Sequence, residues 1–235
     1  MAKPRICEVK EIFELGYILG VYFGDGSIVV VPKKKSYFQL NTIDKEFAEY
    51  VQKCFSLFVG PVTAEIGESQ DARKGRRLLY RITICATAFC DYIRHLCGNK
   101  ETIPSMVFTN RDVKLGFIAG FFDSEGWVSE SKKICDNQKS KYYGNKMYRV
   151  GFGCTNKDVT ETVGKFMRDF GVDINTLDSA LIPSGKTFYR YFPNIDSFVN
   201  ASIPISIVRK KNRLENYRRF YMSSPETTNQ QPCQG

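Results

Sequence analysis

Hydrophobic and polar positions follow two rhythms along the chain, and the rhythms alternate. A glycine-punctuated apolar run from Leu15 to Phe23 reads as a buried helix. Ser27 to Pro32 is β-branched and reads as a strand, Lys33, Lys34 and Lys35 make a basic turn, and Tyr37 to Thr42 closes a hairpin. Phe47, Val51, Cys54, Phe55 and Phe58 then fall at helical spacing on one face, and Gly60-Pro61 ends that helix. Val62 to Ile66 and Leu78 to Ile84 alternate as a second hairpin around Arg73, Lys74, Arg76 and Arg77. Ala88 to Leu96 is a short helix carrying the lone histidine, His95, a surface or core residue without companions to make it a ligand.

The same order recurs. Leu15, Gly16, Ile18, Gly20 and Gly26 return 100 residues on as Leu115, Gly116, Ile118, Gly120 and Gly126. Trp127 to Ile134 and Tyr148 to Cys154 repeat the first hairpin with a longer loop. Val159, Val163, Phe166, Met167 and Phe170 repeat the amphipathic helix, and Tyr189-Arg190 matches Tyr80-Arg81. Two copies of this size mark a duplicated domain and not a solenoid. The expected fold is α+β, with two αββαββα repeats over 1–98 and 111–222, each carrying a four-stranded antiparallel sheet. A linker spans 99–110, and 223–235 is a polar tail whose composition predicts disorder.

One stretch carries candidate chemistry. At helical period Gly16, Gly20 and Gly24 share a face, as do Gly116, Gly120 and Ser124. A glycine inside a helix costs about 1 kcal/mol relative to alanine. A stripe of them implies that close backbone approach returns more, and the simplest partner for each stripe is the other. Gly26 and Gly126 fit helix ends, where a left-handed conformation favours glycine. Side-by-side helices would bring Asp25 and Glu125 out together at the negative helix poles, where acids are unfavourable and repel each other. A hard divalent cation would reverse both penalties, taking carboxylate oxygens and the free carbonyls of Gly24 and Ser124. The competing reading is two core helices whose last acids sit in solvated turns.

Composition narrows the partners. An excess of 34 Lys+Arg over 25 Asp+Glu, net +9, favours a polyanion. No apolar run reaches the roughly 18 to 20 residues of a membrane span, and no signal-peptide core follows the first residues, so an intracellular protein is expected, in the cytoplasm or an organelle. With one histidine and no CxxC pair among eight cysteines, a zinc finger is excluded. Free buried thiols are the expectation, with a bridge among Cys85, Cys90 and Cys97 left open.

ILGVYFGDG at 18–26 and IAGFFDSEG at 118–126 resemble the paired motifs of the LAGLIDADG homing endonucleases. The motif's inner aspartate is present as Asp123 but is Phe23 in the first copy. The resemblance implies that Asp25 and Glu125 bind catalytic Mg2+ or Mn2+. It also implies that the two sheets flank the central helices as a DNA-binding saddle, with each acid organising cleavage of one strand. On it, the outer faces and loops contact DNA through Lys33, Lys35, Gln39, Asn41, Arg76, Arg77, Arg81, Lys132, Lys141, Arg149, Lys186 and Arg190. Basic residues offsetting the scissile phosphate are placed at Lys211 and Arg111, with Lys210 as the substitute. Asp44 and Asn156 either order active-site water or cap the helices that follow them. The implied function is a monomeric, intron-encoded double-strand DNA endonuclease. The alternatives are an RNA maturase, with intron RNA as partner, and a DNA-binding regulator without catalysis.

Overall fold

A computed structural model describes residues 12–31, 35–60, 64–71, 77–140 and 142–222. The first half runs α1 (Ile12–Phe23), β1 (Ser27–Val30), β2 (Ser36–Thr42), α2 (Lys45–Val59), β3 (Ala64–Asp71), β4 (Arg77–Ile84) and α3 (Thr87–Cys97). A short α4 (Ser105–Thr109) follows, inside the stretch expected to be plain linker. The second half runs α5 (Arg111–Glu125), β5 (Gly126–Ile134), β6 (Lys146–Cys154), α6 (Lys157–Asp169), β7 (Asp178–Leu181), β8 (Thr187–Tyr191), α7 (Ile195–Asn200) and α8 (Val208–Tyr217), and ends in a wide π turn, Arg218–Met222. The tail at 223–235 lies outside the described residues.

Each half builds a four-stranded antiparallel sheet, in the order β1-β2-β4-β3 and β5-β6-β8-β7. The duplication therefore extends to topology. Phe38, Leu40, Ile82 and Ile84 point inward from the first sheet onto Phe47, Val51, Cys54 and Phe55 of α2, all buried. Val128, Val150, Phe152 and Tyr191 do the same above Val159, Val163, Phe166 and Met167 of α6. Burying each large apolar side chain is worth about 1.5–3 kcal/mol, so these layers orient both sheets against the central pair of helices.

That pair is α1 and α5, packed backbone to backbone. A Cβ added at Gly16 would lie 2.1 Å from the Val113 carbonyl oxygen, and at Gly116, 2.0 Å from that of Phe13. At Gly20 and Gly120 the corresponding distances are 2.2 Å to Phe117 and 2.1 Å to Tyr17. Each small stripe faces the other, as its spacing required. Gly26 and Gly126 have a different reason from the one expected. Neither has a positive φ; Gly126 sits at −91°. A side chain at Gly26 would run into the Phe38 ring at 2.6 Å, and one at Gly126 into the Phe122 ring at 2.4 Å. Glycine is needed there for space.

The repeated first hairpin and the free cysteines are found as expected, each with one difference. The β5–β6 ladder shifts register between Glu130 and Ile134, and the longer loop beyond it carries a Cys135–Tyr143 bridge. Cys54, Cys85, Cys90, Cys97, Cys135 and Cys154 are all free thiols, so 85, 90 and 97 form no bridge; Cys85 alone among them is exposed and not buried. Cys7 and Cys233 lie outside the described residues.

Candidate metal and nucleic-acid site

The parallel helices end at the same level. Gly24 and Asp25 follow the last turn of α1, and Ser124 and Glu125 form the last turn of α5. A Cβ on Gly24 would lie 2.4 Å from Ser124 Cβ and 3.2 Å from Glu125 Cγ, so the two motif ends touch. The Glu125 carboxyl is pushed up to about 7, first by burial and then by the charge of Asp25. Two carboxylates on abutting helix ends are the hard oxygen donors a divalent cation takes. Among the described residues no three His, Cys, Asp or Glu side chains converge, so a cation there would rest on these two carboxylates and on backbone or solvent oxygens. Of the two candidate carbonyls, that of Gly24 is engaged, and at Ser124 the hydroxyl is engaged too. The Gly24 carbonyl accepts from Lys100 Nζ at 2.7 Å, and Ser124 Oγ donates to the Gly120 carbonyl at 3.1 Å.

A lysine stands on each helix end. Lys100 caps α1 through Gly24. Burial lowers its pKa, and the charges of Glu125 and Asp25 pull it back up. Lys210 caps α5, donating to the carbonyls of Phe122 and Asp123, both at 2.7 Å. It is 1% exposed, and burial brings it down to about 8 against the opposing charges of Asp123, Asp44 and Asp25. Lys210, the substitute choice, therefore takes the place expected for Lys211. Lys211 is exposed and lines a cleft with Glu46, Tyr50 and Pro204, because neighbours on a helix point about 100° apart. Arg111 is also corrected. It opens α5, with Glu125 at the other end, about 21 Å away at 1.5 Å per residue. Its guanidinium lies 4.7 Å from the centre of the Phe170 ring.

Lys100 was missed. It lies in the turn after α3, where no repeat match pointed. Its φ of 68° is the left-handed region that a non-glycine residue seldom occupies. Strain of that kind persists where surrounding structure holds it, which here includes the bond to Gly24.

Asp44 and Asn156 lie two residues past β2 and β6 and immediately precede α2 and α6, but they do different work. Asn156 Oδ1 accepts from the Val159 amide at 3.2 Å, a helix cap. Asp44 makes no cap; its carboxylate accepts from Arg209 Nε at 2.7 Å and Nη2 at 2.9 Å. With Glu46 accepting from the Val208 amide, this pair ties α8 of the second half to α2 of the first.

The two halves also differ beneath the acids. Asp123 Oδ2 accepts from Tyr17 Oη at 2.7 Å and from the Ser206 amide and hydroxyl at 2.8 and 2.7 Å, while Oδ1 has no hydrogen-bond partner among the described residues. Exchanging halves turns Tyr17, Asp123 and Ser206 into Phe117, Phe23 and Met106. Phe23 and Phe117 are packed with ring centres 5.5 Å apart. A polar cluster in one half is thus an apolar one in the other. This explains why Phe23 replaces the motif's inner aspartate: its partners changed with it.

On the outer face of the first sheet Gln39 stands opposite Thr83, and Asn41 opposite Arg81, whose Nε donates to Asn41 Oδ1 at 3.1 Å. On the second, Arg149 stands opposite Ser129, and Arg190 is paired with Asp178 at 2.7 Å. Lys35, Lys132 and Lys186 are exposed near the hairpin ends. Arg77 belongs to β4, with its side chain outside the described residues, as are Lys33, Arg76 and Lys141 altogether. No helix among the described residues is long and apolar enough to cross a membrane.

No family model matches the chain. It is 28% identical to the uncharacterized protein MJ0398 of Methanocaldococcus jannaschii over 57% of this chain and 46% of that protein. It is 26% identical to the uncharacterized protein MJ0314 of the same organism, over 68% and 55%. The chain thus spans about half the length of these two relatives. Among solved structures it resembles the homing endonuclease I-WcaI bound to its DNA recognition sequence (TM-score 0.54, 18% identity, 88% of each chain). It also resembles I-DmoI in complex with DNA and Mn (TM-score 0.51, 13% identity, 92% of this chain and 99% of that one). Full-length DUF199/WhiA from Thermatoga maritima is similar as well (TM-score 0.53, 13% identity, 90% and 61%). At these identities the likeness is one of fold. The fold is that of the LAGLIDADG homing endonucleases and of the LAGLIDADG domain of WhiA.

Proposed function

We propose that this protein is a site-specific endonuclease that acts as a monomer inside the cell and makes a double-strand break in duplex DNA. The observation that carries the reading is the pair of abutting helix ends, each with one acid and one capping lysine: Asp25 with Lys100, and Glu125 with Lys210. Asp25 and Glu125 would hold Mg2+ or Mn2+. Such an ion lowers the pKa of water and stabilises the attacking and leaving oxygens of a phosphodiester. Lys100 and Lys210 supply fixed positive charge beside the position of the scissile phosphate, where developing negative charge is otherwise unpaired. Asp44, held by Arg209, fixes the approach of α8 and with it the position of Lys210. The polar side chains of the outer sheet faces read and grip the duplex. In this reading the chain is an intron-homing enzyme of the kind its motifs resemble.

A plasmid library carrying random inserts, incubated with protein and Mg2+ and then with EDTA, tests this. Linear product from a subset of inserts, present with Mg2+ and absent with EDTA, is the expected result. The likeness to WhiA favours a second reading, a DNA-binding regulator. Enrichment of particular duplexes by binding, without cleavage in Mg2+ or Mn2+, would establish that one instead.

A further inference from the structure

The outer faces of the two sheets are built from different chemistry at matched positions. In the first sheet the row nearest the acids holds Ser27, Gln39 and Thr83, opposed in register. Exchanging halves turns these into Trp127 and Gly151, which are paired, and Phe192, the residue just after β8. Hydrogen-bonding side chains are replaced by an aromatic plate. A Cβ on Gly151 would lie 2.3 Å from the Trp127 ring, so the indole lies flat on the strand. Phe192 meets it edge-on, with ring centres 6.0 Å apart at 78°. The Arg190 guanidinium sits 5.3 Å from the centre of the Phe192 ring. Trp127 begins two residues after Glu125 and is only partly buried, so the plate borders the candidate site and faces outward.

We infer that the second repeat reads its half of the duplex, next to the cut, by apolar contact with thymine methyl groups, whereas the first repeat reads its half by hydrogen bonds. This rests on the DNA-binding function proposed above. A plate pinned by glycine beneath and phenylalanine beside it cannot wedge between bases. It can cover the methyl groups that project into the major groove, which are the apolar feature of base edges there. Arg149, exposed on the same face, adds charge that a duplex requires, while Arg190 is held beside the plate by Asp178.

The test is selection of duplexes from a random library by binding in EDTA, with the wild-type chain and with the double variant Trp127→Ser/Phe192→Thr, which restores the first repeat's residues. Wild type should enrich thymine within the few base pairs on one side of the site's centre only. Replacing those thymines by uracil, which removes only the methyl, should weaken binding about fourfold per position. The double variant should lose both the enrichment and the uracil effect while keeping the preferences of the other half. The uracil measurement needs no variant, so misfolding of the variant does not shelter the inference. Selected sites with no thymine preference in that half, or a uracil substitution without effect, would overturn it. If no duplex is enriched at all, the DNA-binding function itself fails, which is a separate and recognisable result.

Discussion

Gly20→Ala is the sharpest test of the helix pair, because two known effects oppose each other in sign. In an ordinary helix the change gains about 1 kcal/mol from propensity. Here the new Cβ would lie 2.2 Å from the Phe117 carbonyl oxygen and 2.7 Å from the Phe121 amide nitrogen, against ordinary contacts of 3.4–4 Å. Both neighbours are backbone, so no rotamer change relieves the clash, and α1 and α5 must part by about 1 Å. Overpacking a close-packed core costs about 1–3 kcal/mol, and a rigid backbone contact belongs at or above the top of that range. Net of propensity, about 2 kcal/mol of stability is lost. For a chain of this size that lowers Tm by about 4–8 °C. Thermal melting by circular dichroism measures it, with Gly120→Ala as the symmetric case. A Tm equal to or above wild type in both variants would show that the stripes do not face each other.

Lys210→Met should abolish cleavage while leaving duplex affinity within a few-fold, since the lysine is buried away from the sheet faces; its loss also strands two carbonyls, costing about 1–3 kcal/mol in urea unfolding. Full activity in the folded variant would remove Lys210 from the site. Arg209→Ala should destabilise the chain by about 1 kcal/mol, discounted because the guanidinium is about half exposed, and the loss should shrink when Asp44 is also replaced by Asn; additive losses would mean that the pair is not coupled. Glu125, whose folded-state pKa is raised to about 7, binds its proton more tightly folded than unfolded. Its contribution is therefore present below the ordinary range of about 4.5 and lost as pH rises toward 7. Mg2+ should then raise Tm more at pH 8 than at pH 5.5; an equal shift at both would place the ion elsewhere.

Most of the fold was readable because it is written twice. Either glycine stripe alone fits a membrane helix or a buried one, but two stripes at matched positions specify each other. The amphipathic spacing of Phe47 to Phe55 and of Val159 to Met167 located the layers beneath the sheets for the same reason. The site was only partly readable. The nearness of Asp25 and Glu125 follows from local pattern, since one lies just past the end of α1 and the other ends α5. Lys100 does not, because it reaches Gly24 across 76 residues from a turn in which Gly98 marks only the helix end and position 100 itself, also left-handed, is not a glycine. Arg111 was misplaced by matching repeats where they diverge: Arg111 opens α5, whereas its counterpart lies within α8. Asp44 looked like a cap, as Asn156 is, until a partner 165 residues away claimed its carboxylate. Long-range polar pairs of this kind leave no periodic trace.

The account stands on two carboxylates being brought together by two touching helices, and the titration of Glu125 reads that directly. Carbon-13 NMR of labelled glutamate should find its midpoint near 7 in the wild-type chain, lower in Asp25→Asn, and lower again on adding Mg2+ to wild type. A Glu125 that titrates in the ordinary glutamate range of about 4.5, unmoved by Asp25→Asn or by Mg2+, would contradict it.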